Sequence, residues 1–365
     1  MTARKILSWL LLPLTMWYAV GVALRGLLFA TGLLRQKAPH ITTIGIGNLS
    51  CGGTGKTPHA EHLLRLLSAE YRVAYLSRGY RRESKGFVLC EGEPSPSLLG
   101  DEAAMVARKF PSVMVAVCER RVEGVRRLMA LPTPPQVVVL DDVFQHRYIK
   151  PTCNILLTEF GRPYYADSIL PFGNLREFRS GKDRASIVIV TKTPRDISPI
   201  ARHNVVAALA AQPYQKVFFS SMRLGKPVGV TDGSVLEPNV VEHVMVVTGV
   251  AHPEPLVAHL AQYGQVTTRR FPDHHAFTPK ELASLRAEFE AIEASRKVVV
   301  TTEKDAARLS APSCQQALAG LPLYVVPMEV EMQGTPDFDF DTIIRSTVKE
   351  NISFLSKLAT SKLLQ

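Results

Sequence analysis

The chain has 365 residues, 46% of them hydrophobic, enough for two ordinary cores. Lys and Arg outnumber Asp and Glu by 43 to 33, a net charge of +10. That excess suits an anionic membrane surface or a phosphorylated substrate, and no nucleic-acid-binding motif accompanies it. The five cysteines, Cys51, Cys90, Cys118, Cys153 and Cys314, form no C-x-x-C pair, which excludes a zinc ribbon or disulfide framework and fits a reducing compartment.

In chain order, the first element is an apolar run from Ile6 to Leu24, flanked by Arg4 and Lys5 and resuming as Gly26–Leu34 beyond Arg25. It contains both tryptophans, Trp9 and Trp17, and approaches the ~20 residues that cross a bilayer. No small-residue cleavage site follows it, and Pro13 and Arg25 interrupt a clean span. We read residues 1–35 as a membrane anchor, spanning or interfacial. The sequence implies no protein partner.

A strand at His40–Ile46 then leads into GNLSCGGTGKTP, residues 47–58, and a helical pattern with Ala60, Leu63, Leu64 and Leu67 on one face. Strand, Gly-rich loop and helix form a phosphate cradle. Backbone N–H groups of Ser50, Cys51, Gly52, Gly53, Thr54 and Gly55 turn toward the anion, aided by the helix N-terminus. Lys56 would reach the β- and γ-phosphates of a nucleotide, and the Thr57 hydroxyl would bind Mg²⁺. Ser50 stands where the usual pattern has glycine. Cys51 reads either as a small filler or as a reactive thiol.

Strand-like runs at 72–77, 113–117, 136–140, 154–158 and 185–191 alternate with helical ones at 102–109 and 121–129. The alternation predicts an α/β fold: a P-loop NTPase-like, mostly parallel sheet with helices on both faces. Val137–Leu140 ends in Asp141 and Asp142, the form of a strand-terminal carboxylate that holds Mg²⁺ beside a phosphate loop. Gln145 and His146 follow, and a histidine there is either structural or site-facing. Asp101, in Gly100-Asp101-Glu102, is either a helix-start charge or a general base. Arg78, Arg121 and Arg176, the last beside Glu177 in LPFGNLRE, are suited to phosphate recognition.

A second alternation begins near residue 243, which predicts a smaller α/β domain over 241–335 after a core of 36–216 and a linker of 217–240. Residues 336–365 form a helical tail that either packs on the body or touches the membrane. Asp273-His274-His275 lies in the second domain, and its histidines are candidates for proton transfer.

Together these segments resemble the tetraacyldisaccharide 4'-kinase (lipid A 4'-kinase) family. Its signature is similar to the apolar N-terminus, GN-x-x-x-GG-x-GKTP, LSRGY, GDE, DD-x-x-QH, LP-x-G-x-LRE, DHH and TTEKD found here in that order between residues 6 and 305. The resemblance accounts for Ser50, which replaces no required glycine in that family. Val143, Phe172 and Asn174 depart from its common residues. It implies transfer of the ATP γ-phosphate, with Mg²⁺, to the 4'-hydroxyl of a tetraacylated glucosamine disaccharide 1-phosphate at the cytosolic face of a Gram-negative inner membrane. It implies Asp101 as base with His274 in support, Asp141 and Asp142 as metal ligands, and Arg78, Arg121, His146, Arg176 and Glu177 as site lining. The rival reading is a membrane-associated P-loop switch or lipid-binding module. A GTPase form of it would want Asp two residues after Lys192, where this chain has Pro194.

Overall fold

The computed structural model describes residues 12–250, 253–272, 275, 277–309, 314, 317–334 and 338–363. Helix α1 (Leu12–Ala30) precedes β1 (Thr42–Asn48), the phosphate loop and α2 (Lys56–Ser68). There follow β2 (Val73–Ser77), β3 (Val88–Leu89), α3 (Pro96–Leu99), α4 (Asp101–Lys109), β4 (Met114–Val117), α5 (Arg121–Met129), β5 (Val137–Leu140), β6 (Cys153–Glu159), β7 (Ile187–Thr191), α6 (Pro199–Leu209) and β8 (Lys216–Leu224). These strands and a late one, β14 (Met328–Gln333), form a nine-stranded sheet in the order β14-β8-β7-β6-β1-β5-β2-β4-β3. Only the edges β3 and β14 run antiparallel to their neighbours. A parallel sheet needs both faces covered, and every residue of β1, β2, β5 and β7 is buried.

Alternation along the strands sends Ile44, Ile46, Tyr75, Val137 and Val139 to one face, against Leu63, Leu64 and Leu67 of α2 and Ala103, Ala104 and Val106 of α4. Ala74, Leu76, Val138 and Leu140 meet Val125 and Leu128 of α5 on the other. Each fully buried leucine contributes about 1.5–3 kcal/mol.

The second unit has β9 (Val228–Gly229), β10 (His243–Thr248), α7 (Glu254–Leu260), β11 (Gln265–Arg270), α8 (Pro279–Glu290), β12 (Lys297–Thr302), α9 (Glu303–Leu309) and β13 (Leu323–Val326). Its sheet order is β11-β10-β12-β13-β9, parallel except for β9.

The boundaries differ from those expected. The segment expected to open the linker at 217 is β8, inside the large sheet. The expected closing strand of the second domain, Leu323–Val330, divides at Pro327: β13 stays in the small sheet and β14 pairs with β8. Proline has no N–H to continue a ladder and its φ is fixed, so it suits the crossing. The outgoing chain crosses beside it, with the Gly225 N–H donating to Pro327 O at 2.8 Å. Residues 225–327 are thus inserted between two strands of the large sheet. The tail forms α10 (Phe340–Leu363), whose Phe340, Ile344 and Val348 are buried in the large core; its first half is part of that core.

Helix α1 buries only Phe29 and exposes Leu14, Met16, Trp17, Val20, Leu24 and Leu27. Polar contacts dock it on the body: Tyr18 donates to Arg176 O at 2.8 Å, and Arg25 donates to Gln145 O at 2.8 Å.

Candidate active site

The loops at the carboxyl ends of β1, β2, β4 and β5 gather on one edge of the large sheet, where open α/β sheets bind ligands. The left-handed positions of the phosphate loop fall on Gly52 (φ 114°) and Gly55 (φ 85°), not on Ser50. Ser50 instead forms a β-bridge with Leu175. The Cys51 N–H donates to Asn174 O at 2.7 Å and the Arg176 N–H to Leu49 O at 2.8 Å, so LPFGNLRE lies antiparallel along the start of the loop and delivers Arg176 to it. Asn48 Nδ2 donates to Thr54 Oγ1 at 3.0 Å and braces the far side. At the first turn of α2, His59 Nδ1 lies 2.7 Å from Gly55 O and its Nε2 2.9 Å from Ser220 Oγ. Burial pushes His59 down to about 4, so it is neutral and ties the loop to β8.

Asp141 is buried. Its carboxylate accepts from the Tyr75 hydroxyl at 2.7 Å and from the Asp142 N–H at 2.8 Å. Burial raises its carboxyl above the ordinary range. Asp142 has φ 45°, a conformation that Asp tolerates better than most residues. Its carboxylate sits 3.7 Å from Lys56 Nζ and 3.3 Å from Arg176 Nη1. Burial alone would raise it, but Lys56 and Arg176 outweigh that and hold it below the usual range. Val143, where the turn departs from the family pattern, is buried against β1. A side chain at Gly45 would come within 2.7 Å of it, and one at Gly47 within 2.5 Å of Phe144. The turn fits because β1 carries glycine at both points.

Arg121 is 2% exposed and donates to Cys118 O at 2.8 Å and Asp141 O at 3.0 Å, while its Nε has no partner. Arg78 is exposed at the end of β2. Burial, with the charges of Arg121 and Arg78, pushes His146 down to about 4, so it is neutral near pH 7. Gln145 Nε2 donates to Asn48 O at 2.7 Å and to Glu177 Oε1 at 3.0 Å, and its Oε1 accepts from Arg176 at 3.3 Å. Glu177 pairs with Arg184 at 2.8 Å and faces a cavity of about 370 Å³ lined also by Val22, Ala23 and Gly26 of α1. Arg176 and Glu177 therefore face different walls, one the phosphate loop and one the apolar helix.

Asp101 begins α4 with its carboxylate accepting from Arg308 of the second unit at 3.0 Å. Gly100 before it has φ 81° and packs so closely on the LSRGY turn that a Cβ would meet Tyr80 O at 2.6 Å. His274 and Asp273 lie outside the described residues. His275 is a structural member of DHH: its Nε2 lies 3.0 Å from Glu281, in the capping box of α8.

Sequence reasoning passed over Tyr75 and Glu102 as site members. Glu102 is pushed up to about 6, first by burial and then by Asp141, with Lys56 opposing. Its position in GDE was the available signal. Among the described residues no group of three or more His, Cys, Asp or Glu side chains could hold a metal ion unaided.

A glycine-turned loop, a helix N-terminus, a lysine facing a strand-terminal aspartate and a converging arginine define a P-loop phosphotransferase. The family model "Tetraacyldisaccharide-1-P 4'-kinase" (LpxK) matches residues 7–348, and the chain belongs to this family. It is 41% identical over 361 residues to the tetraacyldisaccharide 4'-kinase of Bacteroides thetaiotaomicron, covering 95% of this chain and 94% of that one. It is 40% identical over 317 residues to that of Flavobacterium psychrophilum, covering 86% and 90%. The crystal structure of LpxK from Aquifex aeolicus in complex with ATP superposes with a TM-score of 0.72 at 25% identity, covering 95% of this chain and 99% of that one. The activity is that of an ATP-dependent phosphotransferase, a lipid A 4'-kinase.

Proposed function

We propose that the loop Ser50–Gly55 and Lys56 hold the ATP phosphates and that Asp101 takes the proton of the 4'-hydroxyl. The hydroxyl oxygen bonds to the γ-phosphorus as the bond to the β-phosphate oxygen breaks, and ADP leaves with that electron pair. Lys56 and Arg176 neutralise charge on the transferring group, the main source of catalysis in phosphoryl transfer. The observation that carries this reading is the meeting of Lys56, Asp142 and Arg176 at the loop–helix junction.

The Thr57 hydroxyl, Asp141 and Asp142, with Glu102 as a further carboxylate, form a hard-oxygen donor set that would hold Mg²⁺, which would supply charge neutralisation there. Arg78, Arg121 and the neutral His146 line the anionic end; the buried, unpartnered Nε of Arg121 supports a phosphate there. Glu177 lines the lipid side beneath α1, whose apolar face rests at the cytoplasmic surface of an inner membrane. His274 assists Asp101 from the second unit.

The test is incubation of purified protein with ATP, Mg²⁺ and the tetraacylated disaccharide 1-phosphate, followed by mass analysis. A gain of one phosphate on the lipid that EDTA abolishes is expected. ATP hydrolysis without lipid phosphorylation would sink the reading in favour of a switch.

A further inference from the structure

Between the two units, α9 packs against α4, and Arg308 crosses the gap with its side chain only 10% exposed. Its Nε and Nη2 donate to Asp101 Oδ2 at 3.2 and 3.0 Å. Its Nη1 contacts Asp305 Oδ1 at 3.4 Å. Asp305 is itself immobilised: its Oδ2 accepts from the Gly249 N–H at 2.9 Å, Thr302 Oγ1 at 2.9 Å and Thr248 Oγ1 at 3.2 Å. Those three residues end β10 and β12, so the guanidinium is anchored to two strand ends of the small sheet and aimed at the large one.

A buried guanidinium between two carboxylates is costly unless its geometry is well defined, and its planar fork fixes direction as well as charge. Gly100 fixes the backbone from below by its contact with Tyr80. The side chain of Asp101 is then set by Arg308 from above.

We propose that Arg308 is a positioning residue for phosphoryl transfer, holding the Asp101 carboxylate in its working direction so that the base is in place only when the second unit is docked. The proposal rests on the assignment of Asp101 as base. A second inter-unit contact, Lys109 bridging Glu61 and Glu303 at 2.6 Å each, provides the comparison, because it joins the units without touching Asp101.

The experiment measures kcat and the KM for ATP in Arg308→Gln, Arg308→Lys, Arg308→Ala, Lys109→Gln and Asp101→Asn. Misaiming a reacting group by an ångström costs roughly 100-fold, so Arg308→Gln is expected to lose roughly 10- to 100-fold in kcat with KM for ATP within about two-fold. Arg308→Lys should recover part of the loss, since it returns the charge without the fork. Guanidinium chloride at about 20 mM should raise the Arg308→Ala rate several-fold and leave Lys109→Gln unaffected. Near-native turnover of Arg308→Gln beside a crippled Asp101→Asn would overturn the proposal alone. So would an equal loss in Lys109→Gln with no rescue of Arg308→Ala, which would make the contact a mere fastener. Near-native turnover of Asp101→Asn would overturn the base assignment and the proposal with it.

Discussion

Tyr75 and a backbone N–H hold Asp141 inside the sheet edge, while the next residue, Asp142, looks out at Lys56 and Arg176. Neighbours in sequence thus differ in burial and in charge environment, and the lysine faces the outer carboxylate across the loop. Lys56→Ala should lower lipid phosphorylation at least ~100-fold, read by transfer of labelled phosphate, with the urea midpoint little changed. Gly100→Ala should behave in the opposite way to an active-site change. With φ at 81° and a Cβ 2.6 Å from Tyr80 O, it should cost roughly 1–3 kcal/mol, visible in urea unfolding, and lower kcat only through displacement of Asp101. At this scale much was legible, because glycines, the Gly55-Lys56-Thr57 run and the aspartate pair have local signatures. Glu102 and Arg308 were not. An acid at a helix start reads as a cap, and an arginine whose partner lies two hundred positions away has no local pattern.

Among the elements, α1 was read from hydropathy alone, and its exposed large apolar side chains from Leu14 to Leu27 leave it no core to join. Deleting residues 1–35 should remove most sedimentation with membranes and lower turnover on the lipid, while far-UV circular dichroism stays that of a folded α/β protein. If the shortened protein still pellets completely, another element binds the membrane, and the exposed Phe354 and Leu358 of α10 are the first to examine. The deletion also removes Tyr18 and Arg25 from the carbonyls of Arg176 and Gln145, so the KM for ATP is expected to rise modestly. Strands β8 and β14 were placed wrongly for a physical reason. Their antiparallel pairing joins segments about a hundred residues apart, and short apolar runs do not state their partners. The division at Pro327 was visible as a residue, but not as a change of sheet.

At the scale of the molecule, the two units are joined by the paired crossings at Gly225 and Pro327 and by charged bridges between α4 and α9. Glu61, buried in one such bridge, is pushed up to about 7 by desolvation against the pull of Lys109. The native state therefore holds this proton more tightly than the unfolded chain, whose glutamate titrates near 4.5. Its contribution to stability is complete below about 4.5 and is lost as pH rises through about 7. In urea unfolding, the stability of Glu61→Gln relative to the parent should rise between pH 5 and about 8; a constant difference would mean that Glu61 titrates normally. The same architecture bears on biosynthesis. Because residues 225–327 interrupt the large sheet, a ribosome delivers β1 through β8 well before β14 and α10, which cover the β8 edge and complete the core on the α2 face of the sheet. The nascent chain must therefore carry a bare strand edge and an uncapped apolar layer until β14 and α10 emerge, after the whole inserted unit has been made.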